Sequence, residues 1–293
     1  MKDIIRKHLD RIEKEFKVKI VLSCESGSRA WGFPSEDSDY DIRFIYINER
    51  DWYLTIAEKR NVIELPINKD LDINGWDLRK SLQLLRKSNS PLLEWISSPI
   101  RYRVWDRAFK PLVKLSKKAF LPETSCHHYF SMAKNSISKF QNNEKIKIKA
   151  YMYAIRPILC CEWIIEHLKQ PPMHIDDLLS NITNYKRFKE SVKELISIKM
   201  DHAENYLVKR SETIEGFLIE KMVGLEKKIP PNLVSMNLTM FLKIYCVWRH
   251  LEDDFGSDLL RSHYNASHHV WIVGSSTKPR ILSFQNEQLH EVN

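Results

Sequence analysis

Along residues 2–16 the apolar positions Ile5, Leu9, Ile12 and Phe16 recur every three or four residues, a spacing that predicts an amphipathic helix. Val18-Lys19-Ile20-Val21-Leu22 then turns β-branched and alternating, as a core strand does. A second strand is expected over Tyr40–Ile47, a third over 61–67 and a fourth over Leu71–Trp76. Leu78, Leu82 and Leu85 mark one face of a helix running to about Ser88, and Pro91–Ile100 reads as a further short helix closed by Pro99. From about Asp106 the period is helical, with helices expected over 107–118, 123–141, 145–168, 175–182, 186–208, 211–227 and 237–252. Pro122, Pro171-Pro172 and Pro230-Pro231 set the breaks. Near the end the pattern changes again: Val270-Trp271-Ile272-Val273 and Arg280-Ile281-Leu282-Ser283-Phe284 flank Gly274–Pro279 and read as a hairpin or a loosely attached tail. The expected fold class is α+β, with a mixed-sheet domain over 1–105, an all-helical domain over 106–255 and an extension over 256–293.

Chemistry concentrates between the first two strands, in Glu25-Ser26-Gly27-Ser28-Arg29-Ala30-Trp31-Gly32-Phe33 and then Ser38-Asp39-Tyr40-Asp41-Ile42-Arg43. Residues two apart on a strand share a face, so Asp39 and Asp41 aim together. Two carboxylates so placed repel unless a cation or a proton lies between them. In an open polar position the cation is Mg²⁺, typically held by one or two carboxylates plus substrate phosphates, with Mn²⁺ as its substitute. Gly27 lets the backbone approach a ligand closely, and a helix opening at Ser28 would offer free N–H groups to an anion. Together these parts describe a place for a metal–triphosphate.

The formal net charge of +8 agrees with a phosphate-bearing partner, and 43% apolar content supports a packed core. Cys24, Cys126, Cys160, Cys161 and Cys246 show no metal-ligand spacing and read as reduced thiols of a cytoplasmic protein. The N-terminus is too charged for a signal peptide, and no apolar run reaches membrane-spanning length. His127-His128 and the trio His263, His268 and His269 lack a carboxylate or cysteine to complete a metal site and read as surface residues. Gly274-Ser275-Ser276-Thr277-Lys278 lacks phosphate-loop spacing and reads as the hairpin turn.

Gly27-Ser28 followed by Asp39-x-Asp41 resembles the signature of polymerase-β-like nucleotidyltransferases. The wider string resembles one branch of them, the RNA-repair-pathway polymerase-β family, most closely over residues 20–160. The resemblance implies a palm-like catalytic domain, two metal ions and a third carboxylate that helps hold the metal activating the attacking hydroxyl. Asp72 and Asp77 both qualify. Alternation puts Asp72 with Asn74 and Trp76 on one face and Asp77 with Leu71 and Ile73 on the other, which favours Asp72. A break at Gly75 would instead leave Asp77 near the site or as the N-cap of the helix at Leu78.

In the helix expected over 145–168, Lys145, Lys149, Tyr153 and Arg156 fall on one narrow face. Ile148, Met152, Ile155, Leu159 and Trp163 form a separate apolar face, leaving the stripe free to look into a cleft. The Lys-x-x-x-Tyr-x-x-Arg-Pro run resembles the family's pattern, which implies that Lys149 and Arg156 hold the triphosphate while Tyr153 packs on the nucleoside. Asn89, Pro91, Glu94 and Trp95 resemble another family segment, Trp95 being a core residue and Glu94 either a supporting residue or a charge at a helix N-terminus.

The expected activity is Mg²⁺-dependent transfer of a nucleotide from an NTP to an acceptor hydroxyl. Asp39 and Asp41 would hold both metals, Asp72 the catalytic one, and Gly27, Ser28 and Arg29 the β,γ-phosphates. The family likeness and the charge point to an RNA 3′ end, of tRNA or of broken RNA, as acceptor. The alternatives are transfer onto a protein side chain and an inactive module that binds RNA or nucleotide.

Overall fold

The computed structural model describes residues 1–66, 71–140 and 144–229, together with the backbone of 270–273, 280–285 and 288–292. The chain forms two compact units, Met1–Leu251 and Glu252–Asn293. The expected helix 237–252, Cys246, the three C-terminal histidines and Gly274–Lys278 lie outside the described residues.

The first unit begins with α1 (Lys2–Phe16), β1 (Val18–Glu25) and the short α2 (Gly27–Trp31), followed by β2 (Tyr40–Asn48) and α3 (Arg50–Leu54). Then come β3 (Val62–Glu64), β4 (Leu71–Asp77), α4 (Leu78–Arg86), α5 (Ser90–Ser97) and β5 (Arg101–Val104). The five strands form one sheet in the order β3-β4-β2-β1-β5, mixed because β2 and β4 run parallel while the other neighbours are antiparallel. Ile5, Leu9 and Ile12 of α1 pack on Ile20, Ile42, Phe44, Tyr46 and Ile73, covering one face. Each such side chain contributes about 1.5–3 kcal/mol when fully buried. The other face packs Leu22, Cys24, Ile45 and Ile47 against α4, α5 and the helix that follows β5. A bulge at Val21 makes this switch along β1: Ile20 pairs with Tyr46 and Leu22 already with Ile45.

Helices follow: α6 (Asp106–Ala119), α7 (Pro122–Ile137), α8 (Ile148–His167), α9 (Ile175–Asn181), α10 (Lys186–Met200) and α11 (Glu212–Lys228). Two departures from the expected helices matter. Lys145 stands outside α8, in β6 (Lys145–Lys147), and α10 stops at Met200 instead of running to 208. The residues thus released form β7 (Leu207–Lys209), which pairs antiparallel with β6. Between β6 and α8, the Ile148 N–H donates to the Tyr206 carbonyl, so the ribbon continues straight into the helix. α8 is also not one-sided: Tyr151, Ala154, Ile158, Cys160 and Cys161 are as buried as its expected apolar face, because it is the central helix of the bundle. Ala30, Trp31 and Phe33 enter that same core, which fixes the Gly27 turn between sheet and helices.

In the second unit, β8 (Val270–Val273), β9 (Arg280–Gln285) and β10 (Gln288–Val292) form an antiparallel sheet in the order β10-β9-β8, the pairing of β8 with β9 being that of the expected hairpin. Among the described residues Cys24, Cys126, Cys160 and Cys161 are free thiols. No described helix is long and apolar enough to cross a membrane.

Candidate active site

β1 ends on Glu25, and the chain turns at once. The Ser26 N–H donates to the Asp41 carbonyl (2.9 Å), tying the turn to the start of β2. Gly27 follows with φ 61°, a conformation that costs glycine nothing. A Cβ here would collide with Asp41 Oδ2, so only glycine lets the loop sit directly against that carboxylate. The Ser28 hydroxyl meets the Ser38 hydroxyl at 3.2 Å. Arg29 donates to the carbonyls of Ser38 (2.6 Å) and Asp39 (3.2 Å) and lies over the Tyr40 ring, so it shapes the segment that carries Asp39.

Parallel pairing sets Asp41 opposite Asp72. The Arg43 Nη2 atom lies between them, donating to Asp41 Oδ1 (2.8 Å) and Asp72 Oδ2 (2.7 Å), while its Nη1 reaches the Asp72 carbonyl (3.0 Å). Burial raises the Asp41 carboxyl above the usual range; Arg43 opposes this, and the like charges of Asp72 and Asp39 add to it. Asp39 is exposed beside them. Beneath lies Glu25, fully buried, accepting from the Asp41 N–H (2.8 Å) and the Tyr102 hydroxyl; burial raises its carboxyl too.

Asp77 does not join this group. It pairs with Tyr46 at the far end of the same two strands, five residues or about 17 Å from Asp72 at strand rise. Fully buried, it caps α4 by accepting from the Arg79 N–H (2.7 Å), and its other oxygen takes Asn48 Nδ2 (2.8 Å) and the Tyr53 hydroxyl (2.6 Å). The strand runs unbroken through Gly75, where a Cβ would strike the Phe44 ring, and alternation alone therefore decides which aspartate faces Asp41.

The helical half brings Lys149 and Tyr153 to the same place. Lys149 donates to Glu204 (2.7 Å) and lies 5.8 Å from the centre of the Tyr153 ring. Burial works against its charge, but Glu204, Tyr153 and Asp41 together hold its pKa above the usual range. Tyr153 meets Trp31 edge to face at 5.6 Å. Arg156, expected in the cleft, is instead buried, its side chain 2% exposed. Its Nη1 donates to Glu94 Oε1 (2.9 Å), and its guanidinium covers Trp31 at 4.4 Å. Glu94 also accepts from Tyr129 (2.8 Å) and Trp31 Nε1 (3.1 Å), so one carboxylate joins α2, α5, α7 and α8. The stripe read along the helix therefore divides: Lys145 lies on the ribbon, Lys149 and Tyr153 at the carboxylates, and Arg156 in the core.

Sequence reasoning assigned no role to Arg43, Glu25, Glu204 or Lys199. Arg43 continues the Asp39–Asp41 alternation and was within reach of that argument. Lys199 gave no signal, since its partner is 164 residues away: it is 1% exposed and donates to Ser35 Oγ (3.1 Å). Ser35 meets Ser38 (2.8 Å), and Ser38 meets Ser28, so hydroxyls connect this buried ammonium to the Gly27 loop. Burial lowers the Lys199 pKa. Glu204, whose N–H donates to Asp37 (2.8 Å), lies in the non-helical segment after α10.

Compared with known proteins, residues 1–232 match the model of the RNA repair pathway DNA polymerase beta family. The uncharacterized protein YcgL of Bacillus subtilis (strain 168) is 40% identical over 279 residues, covering 94% of this chain and 100% of that protein. A nucleotidyltransferase-like protein from Exiguobacterium sibiricum 255-15 aligns with TM-score 0.28 and 11% identity over 92% of this chain and 82% of its own, a remote likeness on which nothing below rests.

Proposed function

The chain belongs to the RNA repair pathway DNA polymerase beta family, and on that footing we propose that it transfers a nucleoside monophosphate from an NTP to the 3′ hydroxyl of an RNA, releasing pyrophosphate. The observation that carries the reading is the contact between loop and carboxylates: Gly27 lies against Asp41, and Asp41 lies in register with Asp72. A loop that takes phosphates and a pair of acids that takes a cation are thus one site.

The donor set suits Mg²⁺ or Mn²⁺, because Asp39, Asp41 and Asp72 offer hard oxygens. Arg43 Nη2, between the last two, marks where positive charge is favourable. No group of three His, Cys, Asp or Glu side chains converges into a ready metal cluster among the described residues; Arg43 Nη2 lies between Asp41 and Asp72, and Asp39 is exposed beside them. When bound, the ion supplies positive charge that stabilises the transferring phosphoryl group and the leaving pyrophosphate.

In this reading the Gly27 and Ser28 N–H groups and the Ser28 hydroxyl bind the β,γ-phosphates, and Arg29 orients the segment around them. Lys149 neutralises phosphate charge from the other side, and Tyr153, set by Trp31, packs on the nucleoside. The acceptor hydroxyl attacks the α-phosphorus on the Asp41–Asp72 side, and the bond to the β-phosphate oxygen breaks. Arg156 and Glu94 hold the two halves together without touching substrate.

Incubation with each labelled NTP, Mg²⁺ and total RNA tests this. Label is expected on RNA and lost in Asp39→Ala plus Asp41→Ala; equal labelling by that variant, or label on protein alone, overturns it. One observation favours a second reading, a module that binds nucleotide without reacting: Arg43 already neutralises the acids. Nucleotide binding with no labelled product would select it.

A further inference from the structure

The ribbon β6–β7 sets Lys145 directly opposite Lys209, both exposed. Like charges facing across strands are destabilising, and among the described residues neither lysine has an ion-pair partner. Lys147 shares their face and reaches only the Asn205 side-chain oxygen (3.1 Å). The pair borders a cavity of about 480 Å³ whose wall includes His202 and Tyr206, with ring centres 4.0 Å apart and a tilt of 38°. Tyr206 is 41% exposed, and exposed Leu207 continues the apolar surface beside it. Glu194 is the one carboxylate in that wall.

This cavity backs onto the candidate active site. The segment 201–206 places His202 and Tyr206 on the cavity, while its Glu204 holds Lys149 beside Asp41. The ribbon strand carrying Lys145 runs without interruption into the helix carrying Lys149.

We propose that the ribbon and this cavity bind the acceptor as single-stranded RNA, with Lys145, Lys147 and Lys209 on its backbone phosphates and a base stacked on Tyr206. The proposal rests on the RNA-acceptor reading above. Two lysines without an ion-pair partner among the described residues, with an exposed aromatic platform on the same cavity wall, are the elements of single-strand recognition: cations that follow the backbone and a ring that accepts any base face. Glu194 at the wall is suited to accept from a ribose 2′-hydroxyl, which a DNA strand lacks. Lys149 follows Lys145 by four positions and lies beside Asp41, so a strand held here places its last nucleotide near the Asp41–Asp72 pair.

The test is equilibrium binding of a fluorescein-labelled twelve-nucleotide oligouridylate to the full chain, followed by anisotropy across a salt series without NTP. Lys145→Gln plus Lys209→Gln is expected to lower the slope of log K against log salt by about 1.4, since each single-strand phosphate contact contributes about 0.7. Tyr206→Ala is expected to weaken binding roughly five- to a hundred-fold with the slope unchanged. Glu194→Gln should narrow the preference for the oligouridylate over the matching oligodeoxyuridylate. Circular dichroism confirms that each variant is folded. An unchanged slope and affinity in the double lysine variant overturns the site, as does equal affinity of Tyr206→Ala. Because no transfer is measured, these outcomes are separate from those of the labelling assay: an inactive chain can still bind here, and an active one can still fail to.

Discussion

Arg156 and Glu94 give the sharpest quantitative prediction, because the sequence pattern puts the arginine on the nucleotide and the structure puts it in the core. Glu94 is 10% exposed as a side chain and accepts three hydrogen bonds, from Arg156, Tyr129 and Trp31. In Glu94→Gln one of the two oxygens becomes an NH₂ group, which then faces either the Trp31 N–H or the Arg156 and Tyr129 donors. Arg156→Met leaves the carboxylate buried without its cation. Removing one partner of a buried pair costs about 3–5 kcal/mol. In a unit of this size each kcal/mol lowers Tm by about 2–4 °C, so each single variant should melt roughly 6–20 °C lower. The double variant Glu94→Gln plus Arg156→Met should lose at least about 2 kcal/mol less than the sum of the singles, since no uncompensated charge remains. Urea denaturation of the four proteins closes the cycle, with ATP affinity measured on each while folded. Additive singles of under about 1 kcal/mol, with ATP affinity falling in Arg156→Met, would refute the core role and return Arg156 to the phosphates.

Gly27→Ala should destabilise by about 1–3 kcal/mol, from the positive φ and the collision with Asp41, and should abolish nucleotide transfer by displacing that carboxylate; thermal melts and the labelling assay read the two effects. Asp72→Asn should cut transfer by at least about a hundred-fold with little change in Tm. Asp77→Asn should do the opposite, costing about 1–3 kcal/mol through its cap and its buried Tyr53 and Asn48 partners while folded protein keeps its activity. Lys199 should make stability pH-dependent. Burial lowers its pKa in the folded chain, so between that lowered value and about 10.4 the unfolded chain binds more protons and stability rises with pH. Lys199→Met should flatten this rise in a series of melts from neutral pH to pH 10.5, and an unchanged profile would remove Lys199 as its source.

Wherever a residue's task depends on its near neighbours in the chain, periodicity was sufficient. The alternation that separated Asp72 from Asp77 follows from strand geometry, and parallel register then set Asp72 opposite Asp41, whereas Asp39 precedes β2 and is not fixed by that alternation. The apolar stripe of α1 and the Gly-Ser turn after β1 were legible for the same reason. Helical periodicity misled at the two places where a strand follows or precedes a helix without a proline or glycine to mark it. Lys145–Lys147 and Leu207–Lys209 hold each other as a ribbon, and a pairing across some sixty residues leaves no local mark.

Burial marks the boundary between the two kinds of knowledge. The amino-acid sequence alone placed a Gly-Ser turn after β1, Asp41 at the head of β2 and Asp72 on a further strand, because backbone geometry dictates those relations over a few residues. Only the tertiary structure decided that Arg156 is a core cation while Lys149 lies beside Glu204 and Asp41, although they lie on one helix. It alone showed Lys199 behind the serines. Those roles come from which charges lose water and which remain beside it, and that is settled by elements far apart in the chain packing together.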